Sequence, residues 1–337
     1  MNNMRIRAFA ILYAVLCLML GTVGTAEAVR LKIATLSPDG SFWMEKMRQG
    51  ADEVQKSTAG RVSIRYYPGG VMGDDKAVLR KIRIGQLQGG AVVSGSLADV
   101  FPENQIYGLP LKFKSYEEVD HVRRHMDAMI TEGLEKGGFV TFGLAEGGFA
   151  YIMSAQPIGT VADLRQRKIW IPDNDPAILE GVKAFDISPI PLSIADVRAG
   201  LQTGLIDTVA TSPIGAVALQ WHTQVKYLTD LPFLYIYAVL AIDKKAFSEI
   251  SPEDQPVVRE IMGRVFHEID RQNRSDNIKA LEALKNQGIQ FVQPPAEALD
   301  EWYKRAAEVP ERLLQSGRFS RKTVETLDEQ LRIFRSR

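Results

Sequence analysis

An α/β fold of two lobes is the architecture the sequence predicts, and three observations carry it. Strand-like and helix-like stretches alternate along the chain, which a sheet with helices on its faces accommodates economically. They do so in two successive sets, and residues 29–337 number 309, more than one hydrophobic core usually organises. Finally, the apolar spacing from Pro252 to Gln287 reads as one helix of about 54 Å at 1.5 Å per residue, longer than a small domain is wide. With 45% hydrophobic and 24% charged residues, the composition is that of an ordinary globular protein.

The first element is an export signal. Arg5 and Arg7 precede an apolar run from Ala8 to Leu20, and small residues end at Ala26-Glu27-Ala28, an A-x-A cleavage pattern. The run falls short of the roughly 20 residues a spanning helix needs. The expectation is therefore a signal peptide over residues 1–28, cleaved near Ala28, and an exported, periplasmic chain beginning near Val29. The one cysteine, Cys17, lies inside that signal, so the mature chain holds no thiol for a disulfide or a Cys-ligated metal. Removing the signal leaves 39 basic against 40 acidic residues, a balance that gives no reason to expect nucleic acid or an anionic membrane as partner.

Val29 to Ala34 alternates and is β-prone, Trp43 to Lys56 has helical spacing, and Arg61 to Tyr67 reads as a strand closed by Pro68-Gly69-Gly70. Lys76 to Ile84 then reads as a helix and Gly89 to Ser94 as a short buried strand. The second set runs from strands at Phe139 to Leu144 and Tyr151 to Ser154, through a helix signal at Thr160 to Leu164, to a strand at Lys168 to Ile171 and a helix at Ala195 to Gln202. Tyr235 to Ile242 is again β-prone, as if the chain crosses back to the first lobe. After the acidic start Ser251-Pro252-Glu253-Asp254, apolar residues recur from Val257 to Ile269 and at Ile278, Leu281 and Leu284, stopping at Gly288. These readings divide the mature chain into lobe I, residues 29–150 plus 236–270, and lobe II, residues 151–235 plus 271–337. A cleft between such lobes can close by hinge motion on a small molecule.

Ordered short segments run through nearly the whole mature chain: Ser37-Pro38 with Ser41, Phe42 and Trp43; Tyr67-Pro68-Gly69-Gly70 with Met72-Gly73; Ile84-Gly85-Gln86-Leu87. Phe101-Pro102-Glu103, Leu109-Pro110-Leu111 with Tyr116, and Glu146-Gly147-Gly148-Phe149 follow. The most specific block is Asp163-Leu164, Lys168-Ile169-Trp170-Ile171-Pro172 and Leu201-Gln202-Thr203-Gly204-Leu205-Ile206-Asp207. In this order and spacing they resemble the solute-binding proteins of TRAP (tripartite ATP-independent periplasmic) transporters, of the dicarboxylate-receptor type. The residues present lead to no expected cofactor and no expected metal; the resemblance implies a two-lobed periplasmic-binding-protein fold with a long helix bridging both lobes and a hinge cleft. It further implies a small organic solute as ligand, the transporter's integral membrane subunits as partners, a monomer, and, from relatives with similarly modified sites, a helical-repeat periplasmic partner.

The site departs from the family pattern. Members commonly grip a carboxylate with an Arg whose planar fork matches it, and that place holds Trp170. A second basic residue often follows the Phe of the Glu-Gly-Gly-Phe segment, where this chain has Ala150; polar and acidic residues after the Asp-Gly step correspond here to Thr208, Val209, Ala210, Thr211 and Ser212. A cleft lined by Phe149, Trp170, Val209 and Ala210 would desolvate an organic anion without compensating it. The expected ligand is therefore neutral or partly apolar, with any hydrogen-bonding head group near Thr211 and Ser212. The opposing reading keeps an anion and holds it with Arg198, whose helix could point at the cleft. Trp43, Trp221, Tyr235 and Tyr237 are further candidate cleft residues, for each of which an ordinary core position competes.

Enzymatic signatures fail. His267-Glu268 opens a zinc-protease pattern whose second His is Arg271, His121 and His125 lack a third ligand and read as a solvated helical pair, and Val-Ser-Gly-Ser-Leu around Ser94 and Ser96 is not a nucleophile elbow. Three functions are thus weighed: a periplasmic carrier, a secreted hydrolase or lyase for which no acid–base constellation exists, and a sensor that signals to a membrane receptor from the same closed form.

Overall fold

The computed structural model describes residues 28–173 and 175–336. The expected signal, with Cys17, lies outside them save for Ala28. Strand β1 (Val29–Thr35) buries Leu31 and Ile33 on one face, as its alternation requires. Helix α1 (Phe42–Ser57) starts where Ser41 Oγ accepts from Met44 N, and it buries Met44, Met47, Gly50, Ala51 and Val54 along one stripe. After β2 (Val62–Tyr67), α2 (Asp75–Arg83) is capped by Asp74 and leads into β3 (Gly89–Val93). Two 3-10 turns, Ser94–Leu97 and Pro102–Gly108, carry the chain to α3 (Tyr116–Lys136) and the two-residue β4 (Phe139–Val140).

The second half opens with the ten-residue β5 (Ala145–Ser154) and α4 (Val161–Arg165), whose Thr160 and Asp163 form a reciprocal capping box. Then come β6 (Trp170–Pro172), α5 (Pro176–Ala184), β7 (Ile190–Leu192), α6 (Val197–Thr203), β8 (Thr208–Thr211), α7 (Pro213–Ala218) and β9 (Tyr227–Thr229). The chain returns through β10 (Leu234–Asp243) and α8 (Lys244–Ser248) to α9 (Asp254–Asn286), and finishes with β11 (Gln290–Val292), α10 (Ala296–Gln315) and α11 (Arg321–Arg335).

Nine strands form one sheet in the order β11-β9-β5-β10-β3-β1-β2, with β4 joined to β10 and β8 to β5; β6 and β7 make a separate parallel pair. β1 runs parallel to β2 and β3, while β10 is antiparallel to both β3 and β5. Two strands serve both lobes. β5 pairs with β10 from Ala145 to Ala150 and then with β8 from Tyr151 to Ser154, and β10 pairs with β5 through its first half and β3 through its second. At the changeover Gly148 has φ +90° and lies so close to α9 that a Cβ there would meet Asn277 Nδ2 at 2.5 Å.

Helix α9 is the third connection. Its 33 residues span about 50 Å. Val258, Ile261, Met262, Val265, Phe266 and Ile269 pack into the core built on β1 and α1, whereas Leu281 and Leu284 pack with Trp170, Val209 and Trp221. Pro256 falls in its first turn, where a missing N–H breaks no helical bond.

Several expectations shift. The strand expected over Phe139 to Leu144 pairs only at Phe139 and Val140, and Glu146 to Phe149, read as a motif, is strand from Ala145 onward. The helix expected over Ala195 to Gln202 begins at Val197, after a 3-10 turn at Ile194–Asp196. Helices α3, α10 and α11 were not predicted. Far from being a solvated pair, His121 is buried and its ring lies 4.8 Å from that of His125, because α11 covers α3 with Phe334 and Gln330 against His121.

Candidate functional site

A cavity of about 380 Å³ opens where β3, β5, β6, β8 and β10 converge with the start of α1 and the middle of α9. Trp170 and Trp221 form one wall. Their rings meet edge to face with centroids 5.1 Å apart, and the Trp170 indole N–H is given to the Leu192 carbonyl at 3.0 Å, so what it offers the cavity is ring surface. Trp43 stands on the α1 side with its N–H donated to Asn273 Oδ1 at 2.9 Å, and Asn273 in turn donates to the Glu146 carbonyl. Val209, Ala210, Thr211 and Ser212 at the end of β8 complete this part. Ser212 Oγ is engaged as the cap of α7, accepting from Gly215 N.

The structure therefore gathers Trp43, Trp170, Val209, Thr211, Ser212 and Trp221 of the expected residues, together with Tyr237, around one space. It places the others elsewhere. Phe149 packs on Tyr116 and Tyr235 in the core, with ring centroids at 4.8 and 5.8 Å, and does not line the cavity. Ala150 is buried within β5, opposite Leu234. Tyr235 donates its hydroxyl to Glu146 Oε2 and accepts from Arg123 Nη1, both at 3.1 Å, inside an ionic network behind the site. Arg198 is exposed: α6 buries Val197, Gly200 and Leu201, so the next position along from Val197 is turned to the outer face. The proposed anion clamp does not reach the cavity.

Sequence reasoning missed the charged groups that do. The lining contains no Lys, Arg or His among the described residues, but it contains Asp75 and Asp175. Asp75 opens α2 and accepts from Ser96 Oγ at 2.8 Å and Val93 N at 3.1 Å; burial pushes its carboxyl up to about 6. Asp175 caps α5 through Ile178 N and accepts from the Gln105 side-chain amide, and burial raises it too. In the sequence Asp75 reads as an acid at a helix start, where the macrodipole alone accounts for it, and Asp175 lies in a stretch with no predicted element. Only the fold reveals that they border a cavity.

Behind the site Glu146, fully buried, is held by Arg274 Nη2 at 2.5 Å, while Arg274 also forks onto Asp120 with two contacts of 2.8 Å. Arg123 links Asp127, Asp270, Tyr235 and the Leu144 carbonyl. Arg274 and Asp270 belong to α9, Glu146 to β5 and Tyr235 to β10, so the network ties all three connections together.

Comparison with known proteins gives the family and the fold. The model of the family described as bacterial extracellular solute-binding protein, family 7, matches residues 33–316. The 2,3-diketo-L-gulonate-binding periplasmic protein YiaO of Escherichia coli is 23% identical over 273 residues, 79% of this chain and 81% of the relative. The sialic acid-binding periplasmic protein SiaP of Vibrio cholerae is 22% identical over 280 residues, 81% and 86% of the two chains. Among solved structures, a TRAP periplasmic solute-binding protein of Haemophilus influenzae with bound L-gulonate superposes with a TM-score of 0.82 at 17% identity, covering 89% of this chain and 99% of that one. These similar proteins are binding proteins and not enzymes.

Proposed function

The chain belongs to the bacterial extracellular solute-binding protein family 7, the periplasmic receptors of TRAP transporters, and from that premise we propose that its solute is a small, largely apolar molecule without an anionic group. It is captured between the lobes and handed to the integral membrane subunits. We assign lobe I to residues 29–150 with 236–270 and lobe II to residues 151–235 with 271–337, and read the protein as a monomer exported by cleavage near Ala28. N-terminal sequencing of the secreted protein should find Val29 or a neighbour first.

One observation carries the ligand assignment. The relatives named above bind sugar acids by their descriptions, whereas the cavity of this chain is bordered by apolar and aromatic groups and two carboxyls, with no cation. A buried carboxylate without a compensating partner costs several kcal/mol, and Asp75 and Asp175 would add repulsion. The indole N–H groups of Trp43 and Trp170, and one amide N–H each of Asn273 and Gln105, are already donated to acceptors of the protein itself.

Native mass spectrometry of residues 29–337, with identification of the released molecule, tests this directly. An uncharged or apolar compound is expected; a small carboxylate would overturn the assignment. With that compound in hand, Trp170→Ala should weaken binding by about 2 to 4 kcal/mol through lost aromatic burial, as read by calorimetry at a temperature where circular dichroism shows the variant folded, since it also loses core contacts with Trp221.

A further inference from the structure

The two carboxyls are joined by a single turn. Asp75 reaches Val93 N and Ser96 Oγ on one side of the segment Ser94–Leu97, and Asp175 packs against Gly95 from the other, so tightly that a Cβ at Gly95 would collide with its carboxylate. Gln105, only 5% exposed, also borders the cavity. Its amide N–H is given to Asp175, but its Oε1 meets no partner. This corner of an otherwise apolar space is thus built of acceptors: two carboxyls and an unsatisfied amide carbonyl; among the described residues no cation lines it, and Arg318, outside the lining, is the cation that acts on Asp175. Of these acceptors Gln105 Oε1 is the one that meets no donor, and an enclosed acceptor is stabilised only when a donor reaches it.

We propose that the solute carries, beside its apolar body, a head group that donates hydrogen bonds, an amine or a hydroxyl, and that Asp75, Asp175 and Gln105 receive it. The assignment rests on the reading of the cavity given above and deepens it. The body lies on the ring faces of Trp170 and Trp221, and the head turns toward the Ser94–Leu97 turn. Donors on the ligand would answer the acceptors in this corner, and an ammonium would in addition offset the paired negative charge.

Calorimetric titration of residues 29–337, stripped of bound solute, with n-octylamine, n-octanol and n-octanoate separates head group from body. Octylamine and octanol should each bind at least about tenfold more tightly than octanoate, because a carboxylate meets only acceptors and negative charge. Asp175→Asn keeps the helix cap, and Asp75→Asn keeps an acceptor for Val93 N and Ser96 Oγ. If the amine is the matching form, both variants should erase most of its advantage over the alcohol; if amine and alcohol bind alike, the head is a neutral donor, and Gln105→Met should weaken both by about tenfold. Trp170→Ala should weaken all three probes together. Octanoate binding as tightly as the other two, with Trp170→Ala still weakening every probe, would overturn the head-group assignment and leave the apolar cleft standing. Failure of every probe to bind, or indifference of all three to Trp170→Ala, would overturn both.

Discussion

Asp75 couples the cavity to pH. Its ordinary value is near that of any carboxylate, and burial lifts it to about 6 in the folded chain. A carboxyl raised in this way stabilises the fold while it stays protonated: the contribution is complete below about pH 4 and is lost as pH rises through 6. Wild-type stability should therefore include a loss of about 2 kcal/mol between pH 4.5 and 7 that Asp75→Asn removes, measured by urea unfolding at the two pH values. An unchanged slope in the variant would show that the carboxyl is already ionised at the lower pH. At this scale Trp170 was legible, because its segment resembles a family in which that place faces the ligand. Asp75 was not, since an acid at a helix start has a sufficient local explanation, and Asp175 and Gln105 lie in stretches where no element was predicted. Phe149, Ala150 and Tyr235 misled for the opposite reason. In a strand, side chains alternate between faces and the chain twists between lobes, so adjacency to a motif says little about which way a residue points.

The elements that connect the lobes are bound by charge as much as by packing. Glu146 on β5 has no exposed surface, and Arg274 on α9 is its cation. Burial raises Glu146 while Arg274 opposes the rise. Removing the cation with Arg274→Leu should cost about 3 kcal/mol or more, since it strands a buried carboxyl; thermal unfolding followed by circular dichroism would register the loss. Tyr235→Phe removes one hydroxyl from the same network, and the expected cost is about 1 kcal/mol with ligand affinity unchanged. A large loss of affinity would instead return Tyr235 to the binding surface. Most elements of the first half and the bridging helix were readable from periodicity. Helices α3 and α11 have equally regular stripes, Val119, Val122, Met126, Ile130 and Leu134 in one and Val324, Leu327 and Leu331 in the other, so the signal was present in the spacing. Helix α10 hides its stripe of Trp302, Ala306, Val309 and Leu313 behind Pro310, a residue that normally ends a helix.

For the molecule as a whole, besides the bonds Asn273 makes to Trp43 and Glu146, the expected lobe division is spanned near the cavity by Gln105 to Asp175, and by Lys76 to Asp173 at 3.9 Å. The Lys76 contact is solvent-exposed and contributes little. The Gln105 contact is buried and depends on Gly95 allowing Asp175 to approach. Gly95→Ala should hold the faces apart, weakening ligand capture by about tenfold or more while leaving the separate cores, and hence the melting temperature, nearly unchanged. Small-angle scattering should then show a larger radius of gyration that ligand no longer reduces. Such a chain is best regarded as three continuous connections around one closable space, and the alternating pattern of the sequence announced the two packed bodies but not the contacts that hold them shut.

Of the four tryptophans in the chain, Trp43, Trp170 and Trp221 border the cavity, and Trp302 is buried elsewhere with its N–H on the Gly159 carbonyl. Three of the four indoles, and hence most of the tryptophan emission, therefore lie around the proposed binding space. If an apolar solute fills that space, tryptophan emission should shift to shorter wavelength, so that occupancy of the unlabelled receptor can be followed in a fluorimeter through a titration.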